Sequence, residues 1–260
     1  MAAPRSYLFV PGNRPERFDK ALGAGADAVI VDLEDAVPPA AKSAARDAVA
    51  AWLAPAHAIV LRINAAGTPW FEDDLALARR AGVAAVMLPK AERAAEVEAV
   101  GDVAVIALLE SAAGLANARA VAACPNVRRL AFGAIDFQLD LGLQAGFDDL
   151  LAFRSEIALA SRLAGLAPPV DSPSVAIEHA DEVEREARAA RRLGFGGKLC
   201  IHPRQVAGVN AAFAPTPDEL AWAARVVEAA RASGGAAVQV DGRMIDRPVI
   251  LRAQRLLDQA

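Results

Sequence analysis

Eight short apolar runs, each separated from the next by a stretch long enough for a helix, constrain this chain more than any other feature. They lie at residues 6–10, 28–31, 59–63, 85–88, 104–109, 127–132, a short one around 169–170, and 196–201. Apolar runs of this length between turn signals read as buried strands, and parallel strands need a crossover between them, usually a helix. In a chain of 260 residues without an internal repeat or a low-complexity linker, the economical fold is a closed (β/α)8 TIM barrel. A doubly wound open sheet is the alternative. No GxGxxG or GxxxxGK[ST] follows a strand, which argues against a dinucleotide-binding or P-loop protein.

The barrel is expected to occupy residues 1–233. Beyond Gly234-Gly235 the chain changes character, with a turn at Asp241-Gly242, an apolar Met244-Ile245 pair, Asp246, and a terminal helix from about Pro248. The barrel helices are complete by then, so residues 234–260 form a short C-terminal extension that packs across its own barrel or a neighbour's. The formal net charge is −4, with no long basic run, so a nucleic-acid backbone is not an expected partner. No apolar stretch approaches the roughly 20 residues that span a bilayer, and the amino terminus lacks a signal peptide's apolar region, so a cytoplasmic location is expected. Cys124 and Cys200 lie in or beside apolar segments and form no CxxC pair, which reads as small buried thiols rather than a disulfide or zinc site.

In a parallel barrel all strands end at one edge, where loop-borne chemistry collects. Glu110 directly follows the fifth run, and Asp136 follows the sixth after Gly133-Ala134-Ile135. Two acids so placed read as a hard-cation site, a general acid/base pair, or a helix cap and a surface charge. Magnesium needs only one or two protein carboxylates, because water and substrate oxygens complete its octahedron. The second run ends in Asp32-Leu33-Glu34-Asp35, so at least one of these acids faces the barrel mouth. Arg62 lies between Leu61 and Ile63, and strand alternation turns it away from both. If it points inward it meets either a substrate anion or a structural ion pair. Lys90, after the fourth run, stands at the same edge.

After the first run, Asn13 reads as a helix cap with Pro15 and Glu16 in a capping-box arrangement. Arg14, Arg17 and Lys20 then form either a grip for an acidic substrate or a solvated face. Asp140, Gly142 and Gly146 suggest a mobile insert after Asp136. His202, at the end of the last run, is open between a general base and a hydrogen-bonded structural residue.

Taken together, the segments LFVPGNRPERFDKA, VIVDLEDAV, VLRINAAG, VMLPKAE, ALLESAAGL, LAFGAIDF, LCIHPRQV and DGRMIDRPVI resemble the citrate lyase β-subunit-like (CitE-like) family of the HpcH/HpaI aldolase superfamily. The resemblance runs colinearly over almost the whole chain. It implies a Mg²⁺-dependent carbon–carbon lyase acting on β-hydroxyacyl thioesters of coenzyme A or an acyl-carrier protein, of citryl, malyl or citramalyl type. The products would be a 2-oxo acid and a shortened acyl thioester. It further implies a homo-oligomer, trimer or hexamer. By the same resemblance, Glu110 and Asp136 are the metal ligands, and Arg62 holds the substrate's oxygens. Asp32 lies near the metal and its waters, and Arg14 and Lys20 are cofactor-binding positives. Asp246 of the MID motif is catalytic, reaching an adjacent subunit, and the backbone from Gly133 through Ala134 and Ile135 to Asp136 holds the substrate carboxylate. A thioester hydrolase, a class II aldolase on free 2-oxo acids and a non-catalytic assembly subunit are the alternatives.

Overall fold

The apolar runs pair in chain order, each with the next, and the last returns to the first. In the computed structural model, which describes residues 3–234 and 237–259, they close an eight-stranded parallel barrel. Its strands are β1 (Ser6–Pro11), β2 (Ala28–Asp32), β3 (Ile59–Arg62), β4 (Val83–Leu88), β5 (Val105–Leu109), β6 (Val127–Phe132), β7 (Val170–Asp171) and β8 (Gly197–Cys200). The helices are α1 (Phe18–Leu22), α2 (Lys42–Trp52), α3 (Phe71–Ala78), α4 (Ala94–Glu98), α5 (Ala112–Ala116), α6 (Ala118–Ala122), α7 (Ala134–Leu141), α8 (Leu151–Leu163), α9 (Ala180–Arg192) and α10 (Val206–Phe213). None among the described residues is long and apolar enough to cross a membrane.

Alternation along the strands sorts side chains into two layers. Tyr7, Ile30, Val60, Met87, Ile106, Leu108, Ala131, Val170 and Leu199 fill the barrel as one core. Leu8, Val31, Leu61, Leu109 and Leu130, of the opposite parity, are also buried, and pack outward under the helices. Each such aliphatic side chain contributes about 2 kcal/mol on burial. Both cysteines are free and buried.

β7 is only two residues long, because Pro168 and Pro169 precede it and proline cannot donate to a ladder. It meets β6 at the single pair Ala131↔Val170 and β8 at Val170↔Gly197 and Asp171↔Lys198. Side chains supply the missing ties. Arg129 Nε donates to the Pro168 carbonyl at 2.5 Å. Buried Asp171 accepts from Arg154 Nε and Lys198 Nζ, each at 2.8 Å.

Three local expectations are corrected. Asn13 caps nothing: a 3-10 turn, Pro15–Arg17, leads into α1 without a side-chain cap, and Glu16 accepts instead from Arg14 Nε at 2.6 Å. The single crossover helix expected between the fifth and sixth runs is two short helices broken at Asn117 (φ −97°, ψ 8°), whose side-chain amide donates to the Glu92 carbonyl. The expected insert after Asp136 begins as regular helix, α7, which stops at Gly142 in the left-handed conformation (φ 67°).

From Ala212 onward the chain forms a second compact unit. α11 (Pro217–Ala232) starts from a capping box made by Thr216 and Glu219. A hairpin of β9 (Val238–Val240) and β10 (Arg243–Ile245) turns on Asp241 and Gly242, both at positive φ. α12 (Arg247–Leu257) completes it, and Ala223, Val226, Val227, Ile245 and Ala253 make its core. The unit begins ahead of residue 234 because the apolar face of α11 packs with the hairpin and α12.

Candidate active site

Extending the inward parity one residue past the core layer brings Asp32 on β2, Arg62 on β3, Glu110 after β5, Gly133 after β6 and Ile201 after β8 to the C-terminal mouth. All five line a cleft of about 410 Å³, together with Phe9, Leu108, Asp136, Ser172 and Leu199. The strand pattern thus places acids and an arginine directly above an apolar floor.

Glu110 is buried. Its Oε1 accepts the backbone N–H of Lys90 at 2.9 Å. Gly133 lies against it: a Cβ built there would stand 2.6 Å from Glu110 Cβ and 2.7 Å from Oε2. Burial pushes the Glu110 carboxyl up to about 8, and the charges of Glu34 and Asp136 push the same way against the Lys90 N–H and ammonium. Asp136 sits in the first turn of α7 and is half-buried, where the helix dipole favours a carboxylate.

A carboxyl so perturbed beside a second acid takes either a proton or a cation. Among the described residues no group of three or more His, Cys, Asp or Glu side chains could hold a metal ion. Closed zinc sites and all-protein calcium cages therefore do not fit, whereas a small hard cation that keeps several outside oxygens does.

Arg62 closes the opposite wall. Asp32 and Arg62 are register partners, and the guanidinium forks onto Asp32 through Nε–Oδ1 at 2.7 Å and Nη2–Oδ2 at 2.6 Å. Nη1 lies 3.1 Å from Glu34 Oε2, and the group stacks 4.9 Å from the Phe9 ring centroid. Glu34 Oε1 in turn accepts Lys90 Nζ at 2.7 Å. Burial raises the Glu34 pKa even against these two cations. Arg62 is thus a structural ion pair, one of its two sequence readings, and its side chain also lines the cleft. Outside it, buried Lys42 donates to the Leu33 and Glu34 carbonyls at 2.8 and 2.9 Å. Asn64 donates to Leu33 O and to Asp74, so the acidic loop is held from behind.

The remaining expected residues lie elsewhere. Arg14 is exposed and pairs with Glu16, and Lys20 is exposed; neither lines the cleft. Ala134 N–H donates to Ser172 Oγ at 3.1 Å and Gly133 N–H to Leu109 O at 3.0 Å. Of the expected backbone cradle, the N–H groups of Ile135 and Asp136 remain. His202 Nδ1 accepts the Arg204 N–H, and His202 forms a capping box with Gln205; it does not line the cleft. Asp246 belongs to the second unit, where it is exposed and caps α12 through the Val249 N–H. Sequence reasoning missed the hub role of Glu34 and the part of Ser172 at the α7 start. Both stand at strand ends, the signal that located Glu110.

A closed parallel barrel with paired acids and an arginine at its C-terminal mouth defines an enzyme of the (β/α)8 class. More particularly, the HpcH/HpaI aldolase/citrate lyase family model matches residues 5–203, and the chain belongs to that family. It is 39% identical over 276 residues to a citrate lyase subunit beta-like protein of Deinococcus radiodurans, covering 97% of this chain and 96% of that one. It is 35% identical over 271 residues to a (3S)-malyl-CoA thioesterase of Cereibacter sphaeroides, covering 98% and 94%. Among solved structures, protein CitE of Mycobacterium tuberculosis in complex with magnesium, acetoacetate and coenzyme A superimposes with a TM-score of 0.91 at 40% identity, covering 100% of this chain and 98% of that one.

Proposed function

We propose that this chain is a Mg²⁺-dependent carbon–carbon lyase acting on β-hydroxyacyl thioesters of coenzyme A or an acyl-carrier protein. It would release a 2-oxo acid and a shortened acyl thioester and work as a homo-oligomer, trimer or hexamer. The observation that carries this reading is the buried Glu110 carboxyl, pushed up to about 8, which lines one cleft with Asp136, Asp32 and Arg62. The magnesium in the related CitE structure supports it.

Glu110 and Asp136 would hold Mg²⁺, which when bound polarises the oxygens of the oxo-acid half. Arg62, oriented by Asp32, sets a fixed positive charge where negative oxygen develops, and preorganised charge of this kind is a large catalytic term. The Ile135 and Asp136 N–H groups take the substrate carboxylate. Phe9, Leu108, Leu199 and Ile201 give the cleft an apolar wall that excludes water. The hydroxyl proton passes to water in the cleft as the C–C bond breaks, the carbinol carbon becomes the carbonyl of the 2-oxo acid, and the bond electrons pass to the thioester half as an enolate. Asp246, assigned from its motif, delivers a proton to that α-carbon.

The likeness to a malyl-CoA thioesterase favours one second reading, thioester hydrolysis. Incubating the purified protein with malyl-CoA, citramalyl-CoA or citryl-CoA and Mg²⁺ separates the two. A 2-oxo acid with a shortened acyl-CoA is the expected result. Free thiol without a 2-oxo acid would establish hydrolysis instead.

A further inference from the structure

Lys90 has a backbone that a lysine rarely adopts: its φ is 48°, in the left-handed region, where residues with a Cβ are disfavoured. That conformation makes two ties possible at once. The Lys90 N–H reaches Glu110 Oε1 at 2.9 Å, and the next N–H, of Ala91, reaches Leu108 O at 3.2 Å. A right-handed residue here would swing one of the two donors away. Glycine or asparagine would adopt the conformation more readily, so the backbone alone does not call for lysine. Its side chain is also engaged: Nζ lies 2.7 Å from Glu34 Oε1 and 4.0 Å from Glu110 Oε1. Glu34 holds Arg62 through its other oxygen at 3.1 Å.

We propose that Lys90 is the positioning residue that ties the two walls of the cleft together, its N–H fixing Glu110 and its ammonium fixing Glu34 and, through Glu34, Arg62. The inference rests on reading Glu110 as a cation ligand and Arg62 as the substrate-anion contact. Main chain and side chain then have separable effects. Losing the ammonium leaves Arg62 as the cation paired directly with both the Asp32 and Glu34 carboxylates, which weakens its hold on an anionic substrate. Losing the left-handed turn misplaces Glu110 and weakens the cation.

The test uses the full-length protein, with Mn²⁺ as the metal probe followed by electron paramagnetic resonance and malyl-CoA as substrate. Lys90→Gly and Lys90→Met keep the N–H but lack the ammonium. They are expected to bind Mn²⁺ within about threefold of wild type while KM rises about tenfold. Lys90→Val, whose branched Cβ resists positive φ, is expected to lose about tenfold or more in Mn²⁺ affinity, as outer-shell changes do. Added methylammonium should lower the KM of Lys90→Gly, where it has space, and leave Lys90→Met unchanged. Wild-type KM in both Lys90→Gly and Lys90→Met overturns the ammonium half, and undiminished Mn²⁺ binding by Lys90→Val overturns the backbone half. If Lys90→Val does not fold, a Mn²⁺ affinity loss well beyond threefold that is equal in Lys90→Gly and Lys90→Met overturns the backbone half, because the loss then follows the missing ammonium. Glu110→Gln is the control for the underlying reading. Undiminished Mn²⁺ binding by that variant removes the metal assignment itself, an outcome distinct from any Lys90 result.

Discussion

Glu110 should make both cation binding and stability depend on pH, in opposite senses. Its carboxyl is raised from an ordinary 4.5 to about 8, chiefly by burial. Between those values the folded protein keeps a proton that the unfolded chain has released, so stability falls as pH rises and the loss is complete above about 8. The gap is worth on the order of 5 kcal/mol, an upper figure for a site open to a cleft. A cation must displace that proton, so apparent Mg²⁺ affinity should rise about tenfold from pH 6 to 7, continue to rise towards 8, and level off above about 9. At pH 7 binding should release about 0.9 proton, from the fraction of Glu110 still protonated. Titration calorimetry in buffers of different ionisation enthalpy counts that proton directly. Glu110→Gln removes the charge without changing the shape. The metal-free variant should therefore melt above metal-free wild type at pH 9, by up to about 10 °C, and close to it at pH 5. Flat affinity from pH 6 to 8 with no proton release, or melting curves whose difference ignores pH, would refute the argument.

Gly133→Ala should cost about 1–3 kcal/mol in urea unfolding and tenfold or more in Mn²⁺ affinity. The backbone at 133 is unstrained (φ −101°), so the clash of the new methyl with Glu110 is isolated. Arg62→Lys keeps a charge but loses the two-pronged hold on Asp32, and kcat/KM should fall about 100-fold in a lyase assay, because a lysine cannot replace that planar fork. Asp246→Asn should leave the melting temperature within a degree or two, since Asn caps helices as well as Asp. Its turnover should fall about 100-fold or more if the carboxylate moves the proton.

The barrel was legible because parallel strands buried on both faces are short apolar runs, and β1 to β6 have that form. β7 was nearly hidden, since two prolines leave it only two residues and its ties come from distant side chains. In the site, strand-end position pointed to Glu110, Asp136 and at least one acid of the 32–35 cluster, and the resemblance singled out Asp32 and Arg62; these four line one cleft. The dual state of Arg62 was not legible, because it depends on which acids lie across the barrel. Nor was the left-handed turn at Lys90, since lysine carries no local signal for positive φ. Ala134 escaped for a similar reason: its N–H is taken by Ser172, just past β7.

The two-residue β7 makes the barrel wall uneven. Elsewhere, opening the wall means breaking a longer ladder of backbone bonds, but here a short ladder is supplemented by Arg129, Arg154 and Lys198 gripping carbonyl and carboxylate oxygens. Such a stitch opens locally before the rest of the sheet yields, so amides around Val170 should exchange with deuterium ahead of those in β2 or β5. Ser172 is the next turn of that thread, and the start of α7 hangs from it. Local opening at β7 should therefore loosen the first turn of the helix that carries Asp136, with the Gly133 N–H to Leu109 bond left as its other tie.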